Sequence, residues 1–226
     1  MDPLAGSSWS ARNTVEGFAR GEPNRVLVRF AAEELARVRS GRALDIGCGA
    51  ARNASALSAM GWDVLGTDLS WPMLCAARER MRTVAGHFQG VLAPMDALPV
   101  AAGAIDLIIA HGIWNLAGSG KQFRRAVEEA ARSAAPRAAL FVFTFSRSTL
   151  PSHVEPVAGE SFVFTEFSGD RQCFLTEVQL DDELHRVGFV RESGVPLTEY
   201  NRHAAGMPRT AGTPAIYEAA YRSVRV

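Results

Sequence analysis

Three carboxylates and a pair of glycines carry the chemistry this chain can offer. The stretch Ala43-Leu-Asp-Ile-Gly-Cys-Gly-Ala-Ala-Arg52 runs from a short apolar segment into Gly47 and Gly49. Glycines after a first strand let the backbone approach a ligand closely at the mouth of an open sheet. A dinucleotide fingerprint has another glycine three residues later, where this chain has Arg52. Asp45 would repel a diphosphate there, yet it would pair with the ammonium of an amino-acid-like ligand. About 20 residues further on, Asp68 closes a second apolar run, where an acid accepts hydrogen bonds from ribose hydroxyls. Leu69 and Met73 follow with apolar contact for a base, and Met95, Asp96 and Ala97 come after a third run. The spacing describes a pocket for a nucleoside with a zwitterionic tail.

The elements that position these residues alternate. An irregular opening precedes an amphipathic helix over 22–40. Strands are expected at 43–46, 62–67, 87–92, 104–110 and 138–145, with helices at 52–60, 70–82 and 122–134 between them. Leu107-Ile108-Ile109 lacks a polar alternate, as in strands covered on both faces. The pattern is that of an α/β doubly wound domain with a mostly parallel sheet. Beyond it, 146–159 reads as a loop, and 162–167 with 171–175 as a hairpin around Ser168-Gly169-Asp170. A helix opens at the capping box Thr176-Glu-Val-Gln, strands follow at 189–195 and 215–222, and 198–213 reads as a loop.

At 226 residues, 47% of them hydrophobic, the chain suits one domain with insertions. Lys plus Arg equals Asp plus Glu, 24 against 24, so no global field attracts nucleic acid or membrane. Scattered cysteines at 48, 75 and 173 show neither a disulfide framework nor metal-ligand spacing. With no secretory signal and no apolar run long enough to span a bilayer, a soluble cytoplasmic protein is expected.

The stretches at 43–74, 93–117 and 137–146 resemble the class I S-adenosylmethionine-dependent methyltransferases. Gly-Ala-Ala-Arg-Asn-Ala is similar to the turn of the tellurite-resistance-type, small-molecule group, with Ala51 in place of a family glycine. The resemblance implies a Rossmann-like seven-stranded sheet over 41–226, an N-terminal helical lid over 1–40 and a hairpin insertion at about 146–175. It implies S-adenosylmethionine as cofactor, held by Asp45, Gly47, Cys48, Gly49, Arg52, Asp68, Leu69, Met73, Met95, Asp96, Ala97 and His111. It also implies methyl transfer by in-line displacement to sulfur, oxygen, nitrogen or a metalloid of a small molecule. His111, at the end of the fourth strand, is the candidate proton acceptor. Trp9, Trp114, Asn115 and Phe164 are the candidate acceptor contacts, with Arg12, Asn13 and Phe18 nearby and polar candidates at His153, Tyr200, Asn201, Arg202 and His203. A monomer or homodimer without metal, nucleic-acid or membrane partner is expected. The rival readings are a nicotinamide-dependent oxidoreductase and a non-catalytic S-adenosylmethionine-binding protein.

Overall fold

The computed structural model describes residues 2–38, 41–192, 197–202 and 213–224. Its centre is an eight-stranded sheet built around β1 (Arg42–Ile46), which pairs in parallel with β2 (Asp63–Asp68) and β4 (Ile105–His111). β3 (His87–Leu92) extends one edge beside β2. β5 (Ala134–Phe145) follows β4 on the other side, still parallel. The chain then reverses. β10 (Ile216–Ser223) lies antiparallel to β5 and carries β8 (Phe189–Arg191) and β9 (Thr198–Tyr200) along its outer edge. This is the Rossmann-like doubly wound arrangement, and the strand order turns back between β1 and β4, where such sheets open a ligand crevice.

Alternation along each strand sorts the residues between two cores. Leu44, Ile46, Ile108 and Ala110 pack on one face with α5 (Gly120–Ser133) and α6 (Glu177–His185). Ala43, Leu107 and Ile109 pack on the other, with α2 (Arg25–Leu35), α3 (Arg52–Ala59) and α4 (Trp71–Met81) behind them. Asp45, two residues from Ala43, shares the α3 side by the same alternation. Helix starts follow local chemistry. The Ser70 hydroxyl accepts from the Met73 N–H, Ser119 from Gln122, and Thr176 forms the capping box with Gln179.

Four segments differ from the sequence reading. The opening is not irregular throughout: Arg12–Arg20 forms helix α1, ahead of α2. Thr198–Tyr200, within the expected loop, adds strand β9, which makes the sheet eight-stranded rather than seven-stranded. β5 begins at Ala134, where the register against β4 shifts and Arg137 takes a positive φ of 62°. The strand expected at 189–195 ends at Arg191, and 193–196 lie outside the described residues. The insertion hairpin is present as β6 (Val163–Phe164) paired with β7 (Gln172–Cys173). No helix of the described residues is long and apolar enough to cross a membrane.

Candidate active site

A cavity of about 330 Å³ opens at the carboxyl ends of β1, β2 and β4. Its floor is the Gly47–Gly49 turn. Gly47 has φ 69°, and a Cβ there would meet the Ile113 side chain at 2.7 Å. Gly49 has φ 52°, and a Cβ would touch the ring of Phe18 from α1 at 3.4 Å. Both positions require glycine for backbone conformation, and at Gly47 also for space. Ala51 takes the left-handed conformation as well, φ 57°, at the N-cap of α3. That conformation suits the glycine that the family resemblance leads one to expect at this point. Here the methyl is fully buried among the α2 and α3 side chains, which offsets a backbone cost of about 1 kcal/mol.

Asp68, at the end of β2, lines the cavity. Its Oδ2 accepts from the Gly49 N–H at 2.9 Å and its Oδ1 from the Ser70 N–H at 2.8 Å. Each oxygen keeps a lone pair, so the carboxylate braces the turn and can still accept a hydroxyl on either side. Burial pushes its pKa up, against those backbone donors. Asp45 sits behind the turn rather than on the cavity lining, 2% exposed, and its Oδ2 has no hydrogen-bond partner. Burial raises its pKa to about 7. The Arg52 guanidinium and the Ala54 N–H pull it down, and Asp68 adds to the rise. An unpaired buried carboxylate oxygen just behind the cavity floor favours positive charge on the far side of the turn.

Leu69, Met73, Ala93, Pro94 and Met95 form an apolar wall, suited to an aromatic base. Arg52 opens α3 on the cavity wall, and its guanidinium lies 5.9 Å from the Phe18 ring centre. The roof comes from the N-terminal segment, through Leu4, Trp9 and Phe18. That segment is tied down by Ser10 against Ser70 (3.0 Å) and by Asp2 accepting from the Trp71 N–H (3.1 Å). Arg80 donates to the carbonyls of Ala19 and Gly21 at the end of α1.

His111 lines the cavity at the end of β4. It stacks on its β5 neighbour Phe143, with ring centres 4.1 Å apart and planes within 7°. Its Nε2 lies 3.2 Å from Asn24 Nδ2, and its Nδ1 lies 3.4 Å from an Arg52 nitrogen. Burial lowers its pKa to about 4, helped by Arg52 and opposed by its own backbone carbonyl, so the ring is neutral at pH 7. Such an imidazole is a weak proton acceptor.

The structure thus brings together Trp9, Gly47, Gly49, Arg52, Asp68, Leu69, Met73, Met95 and His111 from the expected set, and Phe18 with them. Others lie elsewhere. Cys48 is buried, its sulfur 2.7 Å from where a Gly66 Cβ would sit, and burial holds its thiol well above the usual range. Asp96 and the exposed Ala97 are off the lining, in the turn after Met95. Trp114, Asn115 and Phe164, expected as acceptor contacts, are buried and off the cavity lining. The short 3₁₀ turn Trp114–Leu116 puts Ile113 and Leu116 on the cavity and sends Trp114 into the core against Phe123, with Asn115 buried as well. Phe164 packs the hairpin to Phe174 under the Arg147 guanidinium. Arg12, Asn13, His153, Asn201 and Arg202 do not reach the cavity, and His203 lies outside the described residues. Gln122, Phe143 and Asn24 had no local signal, because only strand and helix packing bring them here.

This geometry, a glycine floor between two acids with an apolar wall, coincides with a sequence match. Residues 44–142 match the family model described as a methyltransferase domain. That stretch is similar to methyltransferase domains, and the match takes in the glycine turn, Asp68 and His111. A ubiquinone/menaquinone biosynthesis C-methyltransferase from Syntrophotalea carbinolica is 36% identical over 124 residues, 54% of this chain and 51% of that protein. The chain therefore spans about half the length of that curated relative. The domain's fold is shared with an S-adenosylmethionine-dependent methyltransferase from Methanosarcina mazei (TM-score 0.70, 16% identity, 90% of this chain and 99% of that one). It is shared also with the 1,6-didemethyltoxoflavin N1-methyltransferase of Burkholderia thailandensis, solved with bound 1,6-didemethyltoxoflavin and S-adenosylhomocysteine (TM-score 0.66, 16% identity, 89% of this chain and 78% of that one). S-adenosylmethionine is named as the cofactor of the first of these neighbours, and its product S-adenosylhomocysteine is bound in the second. The turn and Asp68 line the cavity and suit a nucleoside with an amino-acid tail, and the unpartnered Asp45 oxygen lies behind them.

Proposed function

We propose that the protein transfers a methyl group from S-adenosylmethionine to a small, largely apolar acceptor. Supporting this above all is Asp45, a buried carboxyl group with one unpartnered oxygen behind a glycine turn that Asp68 braces. When bound, the cofactor supplies a sulfonium methyl already activated for in-line displacement. The chain then has to align two reactants and exclude water. Asp68 would accept from the ribose hydroxyls. Asp45 would be paired by the ammonium, and Leu69, Met73 and Met95 would enclose the base. Residues 1–40 would act as the lid, since Leu4, Trp9 and Phe18 roof the cavity and exclude water.

The acceptor class follows from the walls beyond the turn. Ile113, Leu116 and Phe143 are apolar, and polar reach comes from His111, Arg52 and Gln122. A small aromatic or lipophilic molecule with a single polar group fits that lining better than a sugar or a nucleic acid.

Calorimetric titration with S-adenosylhomocysteine tests the reading. Micromolar binding is expected, and absence of binding at millimolar ligand overturns it. NADH serves as the control, since Arg52 in place of the fingerprint's last glycine and Asp45 under the turn both disfavour a diphosphate.

A further inference from the structure

We infer that His111 acts as a fixed hydrogen-bond donor, which with Arg52 grips an anionic oxygen in the cavity, rather than as a general base. The orientation of Asn24 decides this. Its Oδ1 caps α2, accepting from the N–H groups of Val26 and Leu27 at 2.9 and 3.1 Å, so the amide cannot flip without losing the cap. Its Nδ2 is therefore the group that meets His111 Nε2 at 3.2 Å, and it donates also to Glu218 Oε2 at 2.7 Å. The other Glu218 oxygen accepts from the Tyr200 hydroxyl at 2.7 Å. Glu218 is 4% exposed. Strand register builds this row, since Glu218 lies opposite Phe143 and Phe143 opposite His111.

With Nε2 accepting from Asn24, a neutral ring must carry its proton on Nδ1. Nδ1 faces an Arg52 nitrogen at 3.4 Å, and that nitrogen is a donor in every state. The contact is thus two N–H donors side by side, not a hydrogen bond. Among the described residues neither the Arg52 guanidinium nor Nδ1 hydrogen-bonds a carboxylate, and the acceptor beside the ring is the neutral carbonyl of His111 itself. Both line the cavity. Converging donors of this kind suit an anionic oxygen, supplied by the carboxylate of a bound amino-acid tail or by an oxyanion of the acceptor. Only the identity of that oxygen rests on the methyl-transfer reading.

The test has two parts. Nitrogen-15 NMR of histidine-labelled protein without ligand, with His111 assigned by its loss in His111→Asn, reads the tautomer at pH 7.5. Protonated Nδ1 and unprotonated Nε2 are expected, opposite to the preference of a free histidine. An Nε2–H ring or an imidazolium overturns the inference. Second, S-adenosylhomocysteine and 5′-methylthioadenosine, which lacks the amino-acid tail, are titrated into wild type, His111→Ala and His111→Asn. Asn places an N–H near the Nδ1 position but cannot act as a base.

A roughly tenfold loss for S-adenosylhomocysteine alone in His111→Ala, restored in His111→Asn, assigns the oxygen to the cofactor tail. If neither nucleoside is affected, benzoate is titrated into the S-adenosylhomocysteine complex. Its binding to wild type and His111→Asn, but not to His111→Ala, assigns the oxygen to the acceptor. If His111→Ala changes none of these affinities, or if Asn rescues nothing, the inference is overturned. Failure of wild type to bind S-adenosylhomocysteine would remove the methyl-transfer reading while leaving the tautomer result standing.

Discussion

Asp45 carries its carboxyl into the fold with a pKa of about 7, because burial outweighs the nearby Arg52 guanidinium. The unfolded value is ordinary, so the folded protein holds the neutral acid more readily than the unfolded chain does. Its contribution to stability is full below pH 4 and is lost as pH rises through about 7. Asp45→Asn should therefore raise the Tm of the ligand-free protein at pH 8 and barely change it at pH 4.5. The gain is bounded by a few kcal/mol. The same variant should weaken S-adenosylhomocysteine binding, and the wild-type affinity should fall by up to about tenfold per pH unit below 7. Calorimetry between pH 5.5 and 8.5 checks both. An affinity that stays flat through that range, or that Asn leaves unchanged, would detach Asp45 from the ligand. Asp68→Ala removes an acceptor for two backbone donors and for the ribose together. Affinity should fall by at least about 30-fold, roughly 2 kcal/mol. A loss of less than threefold would move the ribose elsewhere.

The lid element depends on a side chain from another helix. Arg80 of α4 reaches the last carbonyls of α1, the groups a helix end leaves without partners. Arg80→Ala should loosen α1, speed tryptic cleavage at Arg12 and Arg20, and weaken S-adenosylhomocysteine binding by about three- to tenfold through Trp9 and Phe18. Unchanged cleavage and affinity would mean that Ser10 and Asp2 hold the segment alone. The sequence did not show α1, because Arg12–Arg20 has only Val15 and Phe18 as sizeable apolar residues and its N-cap is Ala11. By contrast α4 and α6 were legible from Ser70 with Pro72 and from the Thr176 capping box, signals that sit within four residues of each helix start.

Across the whole molecule, β10 joins the parallel half of the sheet to its last strands, and Arg222 on it clamps the lid side to the far edge. Its guanidinium bonds both oxygens of Glu34 on α2, at 2.7 and 2.8 Å, and also Glu192 after β8. Glu34 is 2% exposed and, among the described residues, keeps Arg37 alone as an ion-pair partner if Arg222 is lost. Arg222→Ala should cost about 3 kcal/mol, since it strands a buried charge, and lower Tm by about 10 °C. S-adenosylhomocysteine affinity should be unchanged, as the clamp lies at the opposite end of the sheet from the cavity. A Tm within 2 °C of wild type would show that Arg37 suffices. The eighth strand, β9, escaped notice because Thr198–Tyr200 is held by its pairing with β10, not by its own three residues.

Local chemistry written in the chain was enough for the alternating elements, the glycine turn and the place of Asp68 beside it. Those features depend on backbone conformation and charge within a few residues, or on a spacing that one strand–helix unit sets. Register decided the rest. Alternation in β1 put Asp45 behind the turn, the 3₁₀ turn sent Trp114 to the core, and pairing of β4, β5 and β10 aligned His111 with Phe143 and Glu218. Asn24 and Glu218 stand 194 residues apart, and only the closed sheet, with α2 packed across it, lets Asn24 bridge Glu218 to the imidazole.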